Sequence, residues 1–366
     1  MKLLHSIALA LAACAGPTFA QVPAGYPADY AKVVEAARKE GKVVVYSVLG
    51  NKAAAPLVAD FKALYPDIKV EYDGDGGSNE VAGRFLDEVK RGQPSADVMW
   101  SSAMDLQMML VRDGHAASYA SPERDHLPAW SRWRDQAWGT TFEPVVFVYN
   151  KNLVAENEVP HDRAELAKLL TERADKFAGK VAMFDIAKSG VGYLFAQQDD
   201  TQYPRLPELL RSLGHARVQE SGGTGEMLAK VNSGEYLLGY NIMGAYALVR
   251  GREELPSLGV VLPRDYTLVL SRVMFISKHA KHPNAAKLWA DYLLSQRGQK
   301  IIGDAIKLFA VRDDVDARYT AAKLGHHLGA AARPIPLDPK IAGALDPQQQ
   351  REFIANWKTA LLAAAR

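Results

Sequence analysis

The chain has 366 residues, 44 Lys and Arg against 42 Asp and Glu, and 48% apolar side chains. That balance describes an ordinary globular protein and excludes a disordered chain, and with no basic stripe there is no expectation of a nucleic-acid partner. A lone cysteine, Cys14, excludes a disulfide framework, so a large core must supply the stability.

The first twenty residues place one lysine, Lys2, ahead of an apolar run from Leu3 to Ala15 broken only by His5 and Ser6. Thr18 and Ala20 then precede Gln21, which is the pattern of a secretory signal peptide over residues 1–20. The run is too short for a stable bilayer anchor, and no later stretch reaches membrane-spanning length. A second reading of the same segment stays open. Leu11-Ala12-Ala13-Cys14 resembles a lipobox, in which Cys14 would carry lipid and become the new N-terminus. Either reading expects a periplasmic protein, with a length that suggests two domains.

KVVVYS (42–47) is a nearly continuous apolar run of the kind buried in a parallel sheet. A loop at 48–51 leads to an amphipathic helix with Leu57, Val58, Phe61 and Leu64, stopped by Tyr65-Pro66-Asp67. IKVEY (68–72) reads as the second strand and DGDGG (73–77) as a turn. Val81, Phe85, Leu86 and Val89 share a face of the next helix. DVMW (97–100) is the third strand, ending at Ser101-Ser102, and a third helix covers about 103–112. This alternation predicts a right-handed βαβαβα unit.

After a tryptophan-rich stretch, FEPVVFVYN (142–150) is long and apolar enough to cross between domains. A second series follows. KVAMF (180–184) is a strand, with Ser189-Gly190-Val191-Gly192 at the mouth of the next helix. ARVQ (216–219) is a strand, followed by SGGTG (221–225) and a helix with Met227, Leu228 and Val231. LLGYNI (237–242) is another, ending at Met243-Gly244. RVMFI (272–276) forms a second crossing, then a helix runs from about 282 to 293, and the tail from Gly325 is helical. The fold class is α/β, with two lobes that are each a mostly parallel sheet flanked by helices. The first lobe takes 21–143 and 267–312, the second 144–266 and 313–366, joined by a two-crossing hinge. Ligands of open α/β sheets bind outside the carboxyl ends of the strands, so the polar strand-end loops should face each other.

Catalytic motifs are missing: there is no HExxH, CxxC or GxSxG. The adjacent histidines His326-His327 lie in the tail, Asp73-x-Asp75 lacks the later ligands of a calcium loop, and SGGTG lacks the lysine of a phosphate loop. No enzyme activity, no metal and no cofactor is expected. What remains is a set of strand-end residues that donate hydrogen bonds without charge: Ser47, Asn51, Ser101, Ser102, Ser189, Gly190, Val191, Gly192, Gly223, Thr224 and Asn241. Several precede helices, whose first-turn amides lack partners and favour negative charge. Each residue alone reads equally well as a cap or a turn. Their recurrence in both halves reads as a binding crevice.

Taken in order, VVVYS, YPDIKVEYDG, SADVMWSSAMDLQ, GTTFEPVVFVYNKNLV, GKVAMFDIAKSGVGYLF, VNSGEYLLGYNIMGAYAL and KHPNAAKLWADYLLSQRGQKII resemble bacterial extracellular solute-binding proteins. The similar branch includes ferric-ion-, phosphonate- and sugar-phosphate-binding proteins. The resemblance implies a two-lobed periplasmic-binding-protein fold, a monomer that traps a solute by hinge closure and delivers it to the membrane permease of an ABC importer. Iron-binding relatives carry a histidine after strand one, a glutamate after strand three and a tyrosine pair in the second lobe. The matching stretches here read Gly50-Asn51-Lys52, Ser101-Ser102-Ala103 and Asn241-Ile242-Met243-Gly244, so the hard anionic donors of ferric iron are missing together. Tyr240 and Tyr246 lie nearby but do not form a pair. The relatives also bind an anion at a Ser-Gly step that opens a second-lobe helix, matching Ser189-Gly190. The implied ligand is a small anionic solute: an organic phosphate, phosphonate or carboxylate. Ser189, Gly190, Val191 and Gly192 would hold the anion, with Gly223 and Thr224 from a neighbouring helix start. Ser47, Asn51, Ser101 and Ser102 would close from the first lobe, and Tyr240, Asn241 and Tyr246 would shape the organic end. Two alternatives remain: ferric-iron binding with a synergistic anion, and a sensory contact with a membrane histidine kinase.

Overall fold

A computed structural model describes residues 22–23 and 25–363. The signal-peptide and lipobox readings, with Cys14, lie outside those residues. Thirteen strands are described: β1 (Lys42–Ser47), β2 (Lys69–Asp73), β3 (Val98–Ser101), β4 (Arg132–Trp133), β5 (Ala137–Gly139), β6 (Glu143–Asn150), β7 (Val181–Phe184), β8 (Gln219–Ser221), β9 (Leu238–Met243), β10 (Leu258–Val261), β11 (Thr267–Leu270), β12 (Val273–Ile276) and β13 (Ala332–Pro334). They form two sheets, one ordered β2-β1-β3-β12-β5-β4 and the other β13-β11-β6-β9-β7-β8, with β10 paired to β6.

Each sheet has a parallel part. β1 runs parallel to β2 and β3, and β7 runs parallel to β8 and β9. The chain's crossings add antiparallel strands, β12 and β5 beside β3 and the long β6 beside β9. These local choices follow the sequence. In the Asn51–Leu64 helix, Ala54, Leu57 and Phe61 recur at helical spacing and are buried. Phe61 stands edge-on to Trp289 and Tyr292 at 5.0 and 5.3 Å, which ties that helix to the Pro283–Leu294 helix.

The lobes are joined where β5 passes to β6 and where β11 passes to β12. The two passages are bonded side by side: Thr140 N donates to Arg272 O at 2.9 Å and Thr141 N to Ser271 Oγ at 3.1 Å. A third passage accompanies them. Phe142 N donates to Phe309 O at 2.8 Å, and Ala310 forms a bridge with Thr141 on the way to β13. Beside the joint, the Met104–Arg112 helix lies against the Gly190–Gln202 helix. One apolar cluster runs from Phe85, Met104 and Met108 to Val145, Phe184 and Phe195 across this contact.

The sheets are mixed where mostly parallel ones were expected, with three of five strand pairings antiparallel in the first and three of six in the second, because the crossing strands pair antiparallel to their neighbours. The strand expected at 216–219 begins only at Gln219, because Arg217 takes a left-handed turn conformation, φ 47°. Asn241 lies inside β9, as the LLGYNI strand has it, but at φ 53°, next to an irregularity in the β6–β9 pairing. Among the described residues no helix is long and apolar enough to cross a membrane.

Candidate functional site

On the first-lobe side the strand-end loops brace one another. Ser47, buried at the end of β1, accepts a hydrogen bond from Leu49 N at 3.1 Å, and Leu49 O accepts from the Tyr72 hydroxyl at 2.8 Å. Asn51 heads its helix and reaches to the loop after β2. Its Oδ1 accepts from Gly74 N at 3.0 Å and its Nδ2 donates to Asp75 Oδ2 at 2.9 Å. Only glycine fits at 74, since a β-carbon there would lie 2.2 Å from Leu49 O. Ser101 Oγ accepts from Ala103 N at 3.2 Å, and Ser102 O accepts from Met104 N at 3.0 Å. Where a serine oxygen accepts in such a turn, its own hydroxyl proton remains a donor.

On the second-lobe side, Ser189 caps the Gly190–Gln202 helix: Oγ accepts from Gly192 N at 3.2 Å. Among the described residues the amides of Gly190 and Val191 have no partner. Gly192 allows the helix to approach β7, because a β-carbon there would lie 2.4 Å from Phe184 Cβ. The first turn carries no acidic residue. The neighbouring Thr224–Ser233 helix is different. Ser221 Oγ donates to Glu226 Oε2 at 2.6 Å, and Gly223 N donates to Ser221 Oγ at 3.3 Å. That hydroxyl and Lys230 hold the Glu226 carboxyl below the usual range. The start of this helix therefore already carries a carboxylate of its own, which opposes a second anion at Gly223 and Thr224.

The Ser189 helix start meets the first lobe directly. A β-carbon on Gly190 would stand 3.1 Å from Ser78 Oγ and 3.7 Å from Asn79 Oδ1, at the start of the Ser78–Lys90 helix. Two helix N-termini thus face each other across the lobes. The Ser78–Lys90 helix carries Glu80 in its own first turn, so of the two starts only that of the Gly190–Gln202 helix is free of a carboxylate of its own and favours negative charge.

Behind them lies a buried ion pair that the sequence reading missed. Arg272 Nε donates to Glu143 Oε1 at 2.9 Å, and Nη2 donates to Glu143 Oε2 at 3.3 Å and to the Tyr246 hydroxyl at 2.9 Å. Thr141 Oγ1 donates to Glu143 Oε1 at 2.8 Å. Burial works against the Arg272 guanidinium, yet Glu143 beside it more than restores its charge and pushes its pKa up. Tyr72 lies close enough to feel both Arg272 and Tyr246, and its phenol is pushed up chiefly by burial. The available signal was charge at the border of two apolar crossing runs, Glu143 at one and Arg272 at the other.

Tyr240 and Asn241 face inward instead. The Tyr240 hydroxyl and Asn241 Nδ2 each donate to Asp199 Oδ2 at 2.5 Å, and the Tyr266 hydroxyl donates to Oδ1 at 2.6 Å. Arg163 Nη2 lies 3.2 Å from Asp199 Oδ1. Successive strand residues normally point to opposite faces, and the left-handed turn at Asn241 is what brings both side chains to one carboxylate. Burial, then Asp199, holds the Tyr240 phenol well above its ordinary range. The Tyr240 hydroxyl, expected to touch the ligand, is instead committed to Asp199. Among the described residues no group of three or more His, Cys, Asp or Glu is arranged to hold a metal ion.

Two α/β lobes, strand-end loops facing each other and a braced multi-strand joint define a solute-binding protein. The chain belongs to the bacterial extracellular solute-binding protein family, whose profile matches residues 56–327. Members bind solutes without transforming them and work with the membrane permease of an ABC importer, outside the cytoplasmic membrane. Among solved structures, the substrate-binding protein of an ABC transporter from Agrobacterium tumefaciens is 35% identical, with a TM-score of 0.81 over 87% of this chain and 94% of that one. The periplasmic binding protein AfuA from Actinobacillus pleuropneumoniae, solved with fructose-6-phosphate, is 19% identical, with a TM-score of 0.68 over 88% and 98%. The ferric binding protein from Campylobacter jejuni is 19% identical, with a TM-score of 0.69 over 87% and 99%. These last two share the fold. No curated protein matches the sequence.

Proposed function

We propose that this substrate-binding protein captures a small anionic solute, an organic phosphate, phosphonate or carboxylate, at the start of the Gly190–Gln202 helix. The observation that carries the reading is the start of the Gly190–Gln202 helix, which faces the first lobe at Ser78 with unpartnered amides at Gly190 and Val191 and no acidic residue in its first turn. Ser189 contributes a hydroxyl that caps the helix and still has a proton to donate. Asn51, Ser47, Ser101 and Ser102 close from the first lobe, and Tyr246 shapes the organic end from beside Arg272. The sugar phosphate held by AfuA supports the same ligand class. Ferric iron is disfavoured, because the Tyr240 phenol is spent on Asp199. In this reading the lobes, 21–143 with 267–312 and 144–266 with 313–366, hinge about the passages at Thr141 and Arg272. Residues 1–20 direct export, with release after Ala20.

The test is calorimetric titration of the mature protein with inorganic phosphate, a hexose phosphate and an alkyl phosphonate, after native mass spectrometry has identified any co-purified ligand. With the ligand found, Ser189→Ala should weaken binding by about 1.5–3 kcal/mol, the scale of a hydrogen bond to a charged group. Gly190→Pro removes one amide at the first helical position, where proline is tolerated, and should abolish binding with the fold retained in thermal melts. If both variants bind like the parent, Ser189-Gly190 is only a cap and the site lies elsewhere.

A further inference from the structure

We infer that His115 and His279 form a bidentate site for a divalent transition metal on the first lobe, at the end remote from the solute crevice. His115 Nδ1 and His279 Nε2 lie 3.2 Å apart. Two imidazole nitrogens bound to one tetrahedral Zn2+ at about 2.0–2.1 Å would stand about 3.3 Å apart. The separation therefore suits a shared metal as well as it suits a shared proton.

The pair is held by backbone. Ala116 and Ser277 form an antiparallel bridge, Lys278 N donates to His115 O at 2.7 Å, and His279 N donates to Ser277 Oγ at 3.0 Å. Phe85 stands edge-on to the His115 ring at 5.7 Å and fixes its orientation. Both ligands thus come from two pinned segments, so little ordering is left for the metal to impose. The outward histidine, His279, is exposed, which gives a metal an entry path and leaves positions for water.

The place in the fold separates this site from solute capture. Ser277 N donates to Asp97 O, at the amino end of β3, whereas the crevice loops leave the carboxyl ends of β1 and β3. β3 has four residues, so the two sites are separated by at least about 13 Å of strand. Lys278 next in the chain opposes a cation, and with no third His, Cys, Asp or Glu joining the pair among the described residues, the site exchanges its metal rather than burying it. Imidazole donors favour copper, nickel and zinc.

The experiment uses the tag-free mature protein and ZnCl2 or NiCl2, followed by calorimetry. One ion should bind per chain. His115→Ala and His279→Ala should each weaken binding at least about tenfold, because one imidazole cannot chelate. His282→Ala, at a histidine bonded to Asp97 instead, should bind like the parent. His279→Gln tests the rival reading, since a glutamine amide can still hydrogen-bond to His115 but is a poor zinc ligand. If His279→Gln binds as tightly as the parent, or the parent binds no better than the double alanine variant, the pair is a hydrogen bond and the inference fails. Thermal melts without metal confirm that each variant is folded.

Discussion

Replacing Asp105 by asparagine should stabilise the protein at neutral and alkaline pH. Asp105 opens the Met104–Arg112 helix and is fully buried where that helix meets the Gly190–Gln202 helix. The carboxylate accepts from Leu106 N at 2.9 Å, and no described Arg, Lys or His pairs with it. Burial pushes its pKa from 3.8 up to about 7, against the pull of those backbone amides. At about 1.4 kcal/mol per tenfold in proton affinity, ionising it inside the fold costs on the order of 4 kcal/mol, and water entry from the cavity beside Tyr193 and Gln197 would lower that. The folded state binds this proton more tightly than the unfolded chain does. Stability therefore falls as pH rises from about 4 to about 7 and is level above that. Asp105→Asn keeps the shape and the acceptor but carries no charge. Urea unfolding across this range should show the variant more stable than the parent by about 1–4 kcal/mol at pH 8, with little difference at pH 4. Asp291 is also pushed up to about 7, chiefly by burial, so the variant keeps part of the slope. Parent and variant curves that run parallel across the range would refute the reasoning.

Three further outcomes follow from the site and its supports. Gly192→Ala forces a β-carbon to 2.4 Å from Phe184 Cβ, so it should cost about 1–3 kcal/mol in denaturant unfolding, as overpacking does. Arg272→Met strands Glu143 as a buried carboxylate and should cost about 3–5 kcal/mol, while Arg272→Met with Glu143→Gln should recover much of it. Ferric citrate should give no tyrosinate charge-transfer band, and a visible band lost in Tyr246→Phe would restore iron as the ligand.

The supersecondary units were legible because each buries one stripe. Val43 and Val45 alternate into the core along β1, and Leu57 and Phe61 recur every turn of the helix that follows. Ser189 was legible as a helix start for a local reason as well, a small hydroxyl residue before glycines and an apolar turn. The antiparallel partners of the long crossings were not, since a continuous apolar run such as β6 does not say which strand it will lie beside. Tyr240 shows the same limit at the level of one side chain. Period-two reasoning puts Tyr240 and Asn241 on opposite faces, yet a left-handed turn at Asn241 sends both to Asp199, 41 and 42 residues earlier in the chain. Nothing local marks Asp199 as their partner. Arg272 and Glu143 were hidden for a related reason: their pairing spans more than a hundred residues and exists only because both passages run side by side through the joint. Ser189 and Gly223 look alike in sequence, small residues ahead of an apolar helix. What separates them is Glu226, three residues into the second helix, whose carboxylate is held by Ser221 at that helix's own start. A helix that supplies its own anion has little electrostatic attraction left for another, and that is why the proposed anion site falls at Ser189-Gly190, where the first turn carries no carboxylate and the amides are free.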